Sequence, residues 1–275
     1  MEHLGLKARM AIVGSILFAI YGVAAVVLMG MFGTGTLPLI LAGSVLFVGV
    51  QYKVGKWAAL RSVGAEDLPA DRYPQIHSRV ESIAADMDIE KPRLMIARMG
   101  VPNAFAVGRR GAGTVVVSQE LVQMLDIDEI EGVLAHELAH IDNRDVVMMV
   151  LGQGVASIVA IVAQWAVLLT GDNDIADFFL AIVVGQITQM LVMLFVFAIS
   201  RYREYVADSD AAAVTGDGDA LARALEKISS GNERARESAI DSQVNALCIF
   251  GEKRGLARLM ATHPPMEKRI ERLRS

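Results

Sequence analysis

Cysteine is almost absent from this chain, which has a single one, Cys248, in 275 residues. One cysteine cannot form an internal disulfide, and this is compatible with a reducing cytosol. Positive charge is also scarce, because the formal net charge is -5 and no polybasic patch stands out. The charge balance therefore argues against a nucleic-acid partner.

Several patterns that mark other kinds of protein are missing as well. The chain has no internal repeat, no low-complexity tract, no glycine-rich phosphate loop and no Ser/His/Asp set. None of these patterns therefore suggests a catalytic site other than the histidine motif described below. Histidine is scarce too, with 5 residues in the chain, and two of them fall inside that motif.

The most informative feature is an H-E-x-x-H motif formed by His136, Glu137 and His140. On a helix, side chains at i and i+4 lie on one face, so both histidines can bind one metal ion. Glu137 lies beside that ion and is predicted to be the general base, which takes a proton from the attacking water. Apolar residues at steps of three and four predict the helix, with Asp126 or Asp128 as its cap.

Long apolar runs place this motif in a membrane protein. The chain is 53% hydrophobic with a mean hydropathy of +0.42, and the excess lies in four uncharged runs. Each run is near the length that crosses about 30 Å of hydrocarbon. The runs are Met10–Phe32, Thr36–Tyr52, Val146–Thr170 and Phe178–Ser200. The second, interrupted by Pro38 and Gly43, is the weakest, and a buried soluble hairpin is the alternative for each.

The charges that flank these runs predict their orientation. The basic flanking residues are Lys7, Arg9, Lys53, Lys56, Arg61, Arg144, Arg201 and Arg203. All of them fall on one side, whereas the two connecting turns are uncharged or acidic. The positive-inside rule makes the basic side cytoplasmic. Both termini and the H-E-x-x-H motif are therefore predicted to be cytoplasmic.

A catalytic zinc ion usually has three protein ligands, so a third ligand is needed. His140 lies six residues before the third run, about 9 Å from its start at 1.5 Å per residue. Glu204, four residues past the fourth run, lies at matching depth and is the predicted ligand. Asp208, at i+4, is the predicted hydrogen-bond partner of a ligand histidine. A solvated helix turn is the alternative for this segment, and His77 and His263 are competing ligands.

Between residues 65 and 126 the composition is that of a soluble protein. A helix is predicted over Pro74–Met87. The predicted strands are Arg93–Ala97, Ala104–Val107 and Thr114–Val117. Such a sheet beside the metal helix would let an extended substrate add as a further strand. Asn103, with the strand after it, is the candidate edge that bonds substrate backbone, and an ordinary turn after Pro102 is the alternative.

Residues 216–275 are predicted to be helical. Asp219–Ser229 has apolar residues at helical spacing, and Pro264-Pro265 begins a last helix that is apolar on one side. His263 is predicted to cap this last helix or, if it faces the cleft, to stabilise the oxyanion of the tetrahedral intermediate. The segment Gly231–Gly255 is predicted to cover the cleft.

Several motifs together carry a resemblance that covers nearly the whole chain. They are His136–His140 with Asn143 and Asp145, Glu204–Asp208, Asn103–Ala106 and Thr262–Pro265. With two pairs of apolar runs, they make the chain resemble the membrane zinc metallopeptidases of the HtpX type, in peptidase family M48. These enzymes are relatives of the prenyl-protein peptidase Ste24. Four predicted spans rather than seven favour the HtpX branch.

This resemblance implies a zinc endopeptidase with its active site at the cytoplasmic face of the cell membrane. The implied ligands of one Zn²⁺ are His136, His140 and Glu204. Glu137 would be the general base, and Asp208 and Asn143 would lie next to the ligands. The implied role is quality control, in which the enzyme cleaves misfolded or damaged membrane proteins.

The predicted fold class is a mainly α membrane protein with four transmembrane helices and a cytoplasmic, zincin-like metalloprotease domain that contains a small β-sheet. The predicted parts are an N-terminal membrane hairpin (1–56), a protease region (57–145), a second membrane hairpin (146–200) and a C-terminal helical region with the third ligand (201–275). The predicted partners are the lipid bilayer and polypeptide substrates. Two alternatives stay open: a processing protease for one membrane substrate, and a non-catalytic adaptor stabilised by zinc.

Overall fold

The structure is a computed structural model that describes residues 4–172, 174–243 and 264–275. Helices dominate the fold. They are α1 (Leu4–Phe32), α2 (Leu37–Ser62), α3 (Pro74–Asp86), α4 (Gln119–Met124), α5 (Ile127–Asp142), α6 (Asp145–Thr170), α7 (Ile175–Thr215), α8 (Gly218–Gln243) and α9 (Met266–Leu273). The strands are β1 (Glu66–Asp67), β2 (Arg93–Ala97), β3 (Ala104–Val107) and β4 (Thr114–Ser118). The predicted mainly α fold with a small sheet is confirmed.

Four of these helices, α1, α2, α6 and α7, are long and apolar enough to cross a membrane. The large apolar side chains that the described structure leaves exposed all lie on these four helices, as with Phe18 and Val45, each 76% exposed. Such a surface is stable only if lipid covers it. The weakest predicted run does form a helix, because Pro38 lies in the first turn of α2, where its missing N–H costs no hydrogen bond.

The membrane helices pack through small residues. α6 and α7 approach closely at Gly152, where an added Cβ would lie 2.7 Å from Cγ2 of Val196. Leu17 of α1 joins Ala156 and Val192 in the buried cluster between the helices. Close packing at small residues replaces the hydrophobic effect, which is weak between helices in lipid.

Two of these helices extend beyond the predicted runs. α2 continues to Ser62 rather than ending at Tyr52, and α7 continues to Thr215 without a break at Ser200. The 41 residues of α7 span about 60 Å at 1.5 Å per residue. The apolar run ends where charged residues begin, but their helix propensity continues the same helix. Glu204 therefore stands on a rigid continuation of the fourth membrane helix.

The sheet has the order β1-β2-β4-β3, with β2 parallel to β4 and β3 antiparallel to β4. The three predicted strands are confirmed, and β4 extends one residue further, to Ser118. β1 was not predicted, because two residues are too few to show an alternating pattern. As predicted, β3 is an edge strand of the sheet.

α5 lies in the core of the soluble part, against α3, α7, α8 and the sheet. Leu134 and Leu138 on α5 are fully buried, together with Val80 of α3 and Leu221 of α8. The close contact with α8 is made at Gly132, where an added Cβ would lie 3.1 Å from Cα of Leu221. Because this helix is packed against these elements, the backbone that carries its H-E-x-x-H motif is held in place.

Candidate active site

The helix that carries the motif has a well-defined beginning. Asp126 and Glu129 form a capping box, in which the Asp126 N–H donates to Oε2 of Glu129 over 2.9 Å. Asp126 is thus the cap that the sequence predicts. Two turns on, His136 and Glu137 are 7% and 8% exposed, so they face a partly enclosed space rather than bulk water.

The three residues predicted as metal ligands lie together. Nε2 of His140 is 3.1 Å from Nε2 of His136 and 3.4 Å from Oε1 of Glu204. The other oxygen of Glu204, Oε2, is 3.7 Å from Nε2 of His136. Two ligands on α5 and one on α7 therefore converge, although their role as ligands stays a prediction.

The geometry and charge of this cluster fit a divalent cation. Atoms bound at zinc-like distances of about 2.05 Å in a tetrahedral arrangement lie about 3.3 Å apart, close to the separations in the cluster. The neighbouring charges are the carboxylates of Glu137, Asp145, Glu204 and Asp208 and the guanidiniums of Arg203 and Arg269. Two negative charges are in excess, and a divalent cation would neutralise them.

His140 bonds to Asp145 across a break between two helices. α5 ends at Asp142, and Arg144 has a φ of 56°, in the left-handed region, just before α6 begins. Oδ2 of Asp145 then lies 2.6 Å from Nδ1 of His140. On an unbroken helix, a residue five positions on would be rotated by about 140° and would point elsewhere. The break therefore brings the carboxylate to the histidine.

Asp145 is itself held by a buried arginine. Nε of Arg203 lies 2.5 Å from Oδ1 of Asp145, and both side chains are 5% exposed. Burial would lower the pKa of His140, but the hydrogen bond to Asp145 and the charges of Glu204 and Glu137 together raise it. A metal that binds at Nε2 would compete with the proton that this environment favours.

His136 has the matching arrangement on the other side of the cluster. Its Nδ1 lies 3.0 Å from Oδ1 of Asp208, the residue predicted to bond a ligand histidine. Asp208 accepts from Nε and Nη2 of Arg269 at 2.8 and 2.6 Å. Burial would lower the pKa of Arg269, but the hydrogen bond to Asp208 and the charges of Asp208, Glu204 and Glu137 raise it, so the guanidinium is charged.

The other predicted residues lie elsewhere. Asn143 donates to Oδ2 of Asp210 at 3.0 Å, whereas Asp145 bonds His140, so the place of Asn143 next to the ligands stays a prediction. His77, a competing ligand, bonds to the carbonyl oxygen of Leu68 over 2.9 Å and lies outside the cluster. His263 lies outside the described residues.

Two further expectations are changed by the structure. Arg203, counted among the basic flanks, is buried against Asp145 rather than exposed at the membrane surface. The predicted cover, 231–255, begins as a continuation of α8, which is helical to Gln243. Its remaining residues lie outside the described part of the chain. Asn232 lines the cavity beside the cluster.

Arg203 and Arg269 were missed because sequence reasoning assigned charged residues to exposed positions. One feature of the sequence does point to Arg269. Arg269 shares a helix face with Met266 and Leu273, so it interrupts an apolar stripe. A charged residue within such a stripe needs a buried partner, and this could have marked it as part of the site.

A cavity of about 710 Å³ contains the cluster. Its walls are mostly apolar and come from α5, α8, α9, the edge strand β3 and the first two turns of α6. Representative lining residues are Ala104, Val133, Met149, Val150, Leu225 and Ile228. Asn103, the predicted substrate-binding residue, also lines it. The cavity therefore extends from the beginning of a membrane helix, past the metal cluster, to α8.

The edge strand presents unpaired backbone groups. The Ser118 N–H donates to the carbonyl oxygen of Asn103 over 2.8 Å, so these two residues form a hydrogen-bonded pair of the antiparallel ladder. Such pairs alternate along the strands, and Phe105 therefore pairs with β4 in the same way. The N–H and C=O groups of Ala104 and Ala106 then point away from β4, along the free edge.

Comparison with known proteins agrees with this geometry. The family model described as Peptidase family M48 matches residues 70–275, which is most of the chain and includes the whole metal cluster. The chain belongs to peptidase family M48. The chain is therefore a metalloprotease of this family, and His136, His140 and Glu204, which could hold a metal ion, lie within the matched residues.

Individual M48 relatives match over most of their length. A Protease HtpX homolog of Halobacterium salinarum is 59% identical, and the alignment covers 97% of this chain and 100% of the relative. A Protease HtpX homolog of Syntrophobacter fumaroxidans is 40% identical over 77% of this chain and 79% of the relative. The chain is thus an HtpX-type M48 membrane protease.

The fold also matches a solved structure of the same family. The crystal structure of S. mikatae Ste24p aligns with a TM-score of 0.58 at 17% identity. The alignment covers 98% of this chain but 66% of that protein, so the chain spans about two thirds of its length. At this identity the likeness shows a shared fold.

Proposed function

We propose that this protease is a zinc endopeptidase that cleaves misfolded or damaged membrane proteins at the cytoplasmic face of the cell membrane. One observation carries the proposal: the ligand atoms of His136, His140 and Glu204, the carboxylate of Glu137 and the free edge of β3 all line one cavity. That combination supplies a metal-binding site, a base and a surface that can bind the substrate backbone. A structural zinc site is closed and needs neither of the last two.

The residues of the cavity have separable tasks in hydrolysis. A zinc ion held there would lower the pKa of water and polarise the scissile carbonyl. Glu137 takes the proton of the attacking water on its carboxylate and passes it to the leaving amine. Asp145 and Asp208 hold the Nδ1 atoms of the two histidines, which leaves both Nε2 atoms directed at the cluster.

The substrate binds as an additional strand. Ala104 and Ala106 offer their outward N–H and C=O groups to an extended chain, and this recognition depends on backbone rather than on side-chain identity. The apolar walls accept the hydrophobic side chains that an unfolded protein exposes. Met149 and Val150, in the first two turns of α6, bring the substrate close to the membrane surface. These properties fit unfolded membrane proteins as substrates.

The cytoplasmic orientation is supported by contacts at the basic ends of the membrane helices. Arg9 of α1 stacks on the ring of Tyr202, 4.2 Å from its centroid, one helical turn or less from Glu204. Lys56 of α2 donates to the carbonyl oxygen of Ala112, next to β4. The basic ends of both helices thus lie against the protease domain, and the positive-inside rule puts that side in the cytoplasm.

Zinc content and casein cleavage of the detergent-purified protein test this proposal. The variants are Glu137→Gln and, as a matched control, Glu131→Gln, which neutralises another carboxylate of α5 that pairs with Arg79 instead. We expect one zinc ion in all three proteins, and cleavage by the wild type and Glu131→Gln alone.

Other outcomes overturn parts of the proposal. Cleavage by Glu137→Gln would remove Glu137 as the base. Zinc in all three proteins without cleavage by any would favour an adaptor with structural zinc over a general protease. A wild-type protein that takes up no zinc would contradict the metal site itself.

A further inference from the structure

Arg269 is the group that joins the last helix to the metal cluster. Its guanidinium uses three nitrogens on two carboxylates: Nε and Nη2 bond to Asp208, and Nη1 lies 3.1 Å from Oε2 of Glu204. Nη2 also lies 3.4 Å from Nε2 of His136. The side chain is 5% exposed. Of the three predicted ligands, Arg269 therefore contacts Glu204 and His136 directly, and it also reaches His136 through Asp208.

The cost of burying this charge argues for a specific task. Removing an arginine from water is unfavourable, and only well-aligned partners offset this cost. A fork that meets a carboxylate with two parallel N–H donors fixes the position of that carboxylate more firmly than a single donor does. The partners of Arg269 are 61 residues or more away in sequence, so the contact forms only when α9 docks against α7.

An aspartate–arginine pair supports each of the two histidines, but the two arginines come from different helices. Asp145, which bonds His140, is held by Arg203 from α7, the helix that also carries Glu204. Arg269 instead comes from α9, after the segment between α8 and α9. The support of His136 is therefore the part of the site that depends on a separate element of the chain.

We propose that Arg269 is a positioning residue of the metal site: it fixes Asp208 and Glu204, and through Asp208 it sets the direction of the His136 ring. This inference rests on the proposed zinc function. Docking of α9 thereby completes the metal site, and the strength of zinc binding depends on a helix that supplies no ligand of its own.

Zinc affinity, measured by competition with a chelator in detergent, tests this inference without any substrate. Arg269→Lys keeps the charge but loses the fork. We expect it to weaken zinc binding by about 10- to 100-fold, the usual effect of losing a group that orients a metal ligand. The visible spectrum of the Co²⁺-substituted protein should change as well, because the ligand geometry changes. Excess zinc should restore cleavage.

Arg274→Lys is the matched control. Arg274 lies just past α9 and holds it to α8 through Glu226 and Asp219, at 2.7 to 3.0 Å, without touching the cluster. We expect wild-type zinc affinity and an unchanged Co²⁺ spectrum in this variant. If Arg269→Lys does not fold, Asp208→Asn replaces it, with the same expected loss of affinity.

The competing outcomes are distinct. Wild-type zinc affinity and Co²⁺ spectrum in folded Arg269→Lys would overturn the positioning role. Unchanged affinity with a lower kcat at saturating zinc would also overturn it, since Arg269 would then act on the substrate. An equal loss of zinc affinity in Arg274→Lys would overturn the specific role of Arg269, because any change that loosens α9 would then have the same effect. Zinc binding without cleavage by the wild type defeats the proposed function alone, whereas no zinc binding defeats both.

Discussion

Asp145, the first residue of the third membrane helix, bonds the ring of His140 over 2.6 Å and thereby ties the membrane hairpin to the metal cluster. The left-handed conformation of Arg144 makes this contact possible. A non-glycine residue in that conformation costs about 1 kcal/mol or more, which the buried bonds of Asp145 offset. The first turn of this membrane helix therefore supports one of the predicted metal ligands.

The first prediction concerns this bond. Asp145→Asn should lower zinc affinity by about 10- to 100-fold, because the ring of His140 loses its charged partner. It should also lower the thermal midpoint, since the buried Arg203 is left without its counter-charge. Asp142→Asn is the control, because Asp142 pairs with Arg110 at the surface. Chelator competition and thermal unfolding in detergent measure both effects, and wild-type affinity in Asp145→Asn would contradict the prediction.

The second prediction concerns the free edge of β3. Ala106→Pro removes an N–H that points away from β4, so the ladder survives and the thermal midpoint should stay near that of the wild type. The kcat/KM for unfolded polypeptides should fall at least about fivefold, because the substrate loses a backbone hydrogen bond. Val107→Pro is the matched comparison, since its N–H faces β4 and its loss should instead destabilise the fold. Equal effects of both substitutions on stability would argue against the assigned edge.

The third prediction concerns the turn that follows β3. Gly108 has a φ of +109°, and an added Cβ would lie 2.3 Å from the carbonyl oxygen of Ala112. Gly108→Ala should therefore destabilise the protein by about 1–3 kcal/mol. Gly55→Ala, at a helical position with open space, should leave the thermal midpoint unchanged or slightly higher. A similar midpoint for both variants would contradict the assigned strain.

The fourth prediction concerns orientation in the membrane. In a Cys248→Ser background, Gly35→Cys places a thiol in the exposed turn between α1 and α2, and Asp71→Cys places one in the protease domain. A membrane-impermeant maleimide should label Gly35→Cys in intact cells, but Asp71→Cys only after lysis. This expectation follows from the proposed orientation, in which the basic flanks lie on the cytoplasmic side together with the protease domain. The reverse labelling pattern would mean that the active site faces outward.

The sequence by itself determined the local features of this protein. Four apolar runs specify membrane helices because lipid accepts only segments with satisfied backbone. The i, i+4 spacing of His136 and His140, and of Glu204 and Asp208, puts each pair on one helix face. Strand β4 follows from a β-branched run that glycines precede. In each case, the physical cause acts over a few neighbouring residues, so a single sequence displays it.

Only the tertiary structure decided how these pieces support one another. Asp145 reaches His140 because a break at Arg144 redirects the chain, and no periodicity encodes that break. Arg203 and Arg269 look like surface charges in the sequence, yet both are buried. The carboxylates that pair with these two arginines are brought to them by helices far apart in sequence. The two charges can therefore be buried only once those helices have packed.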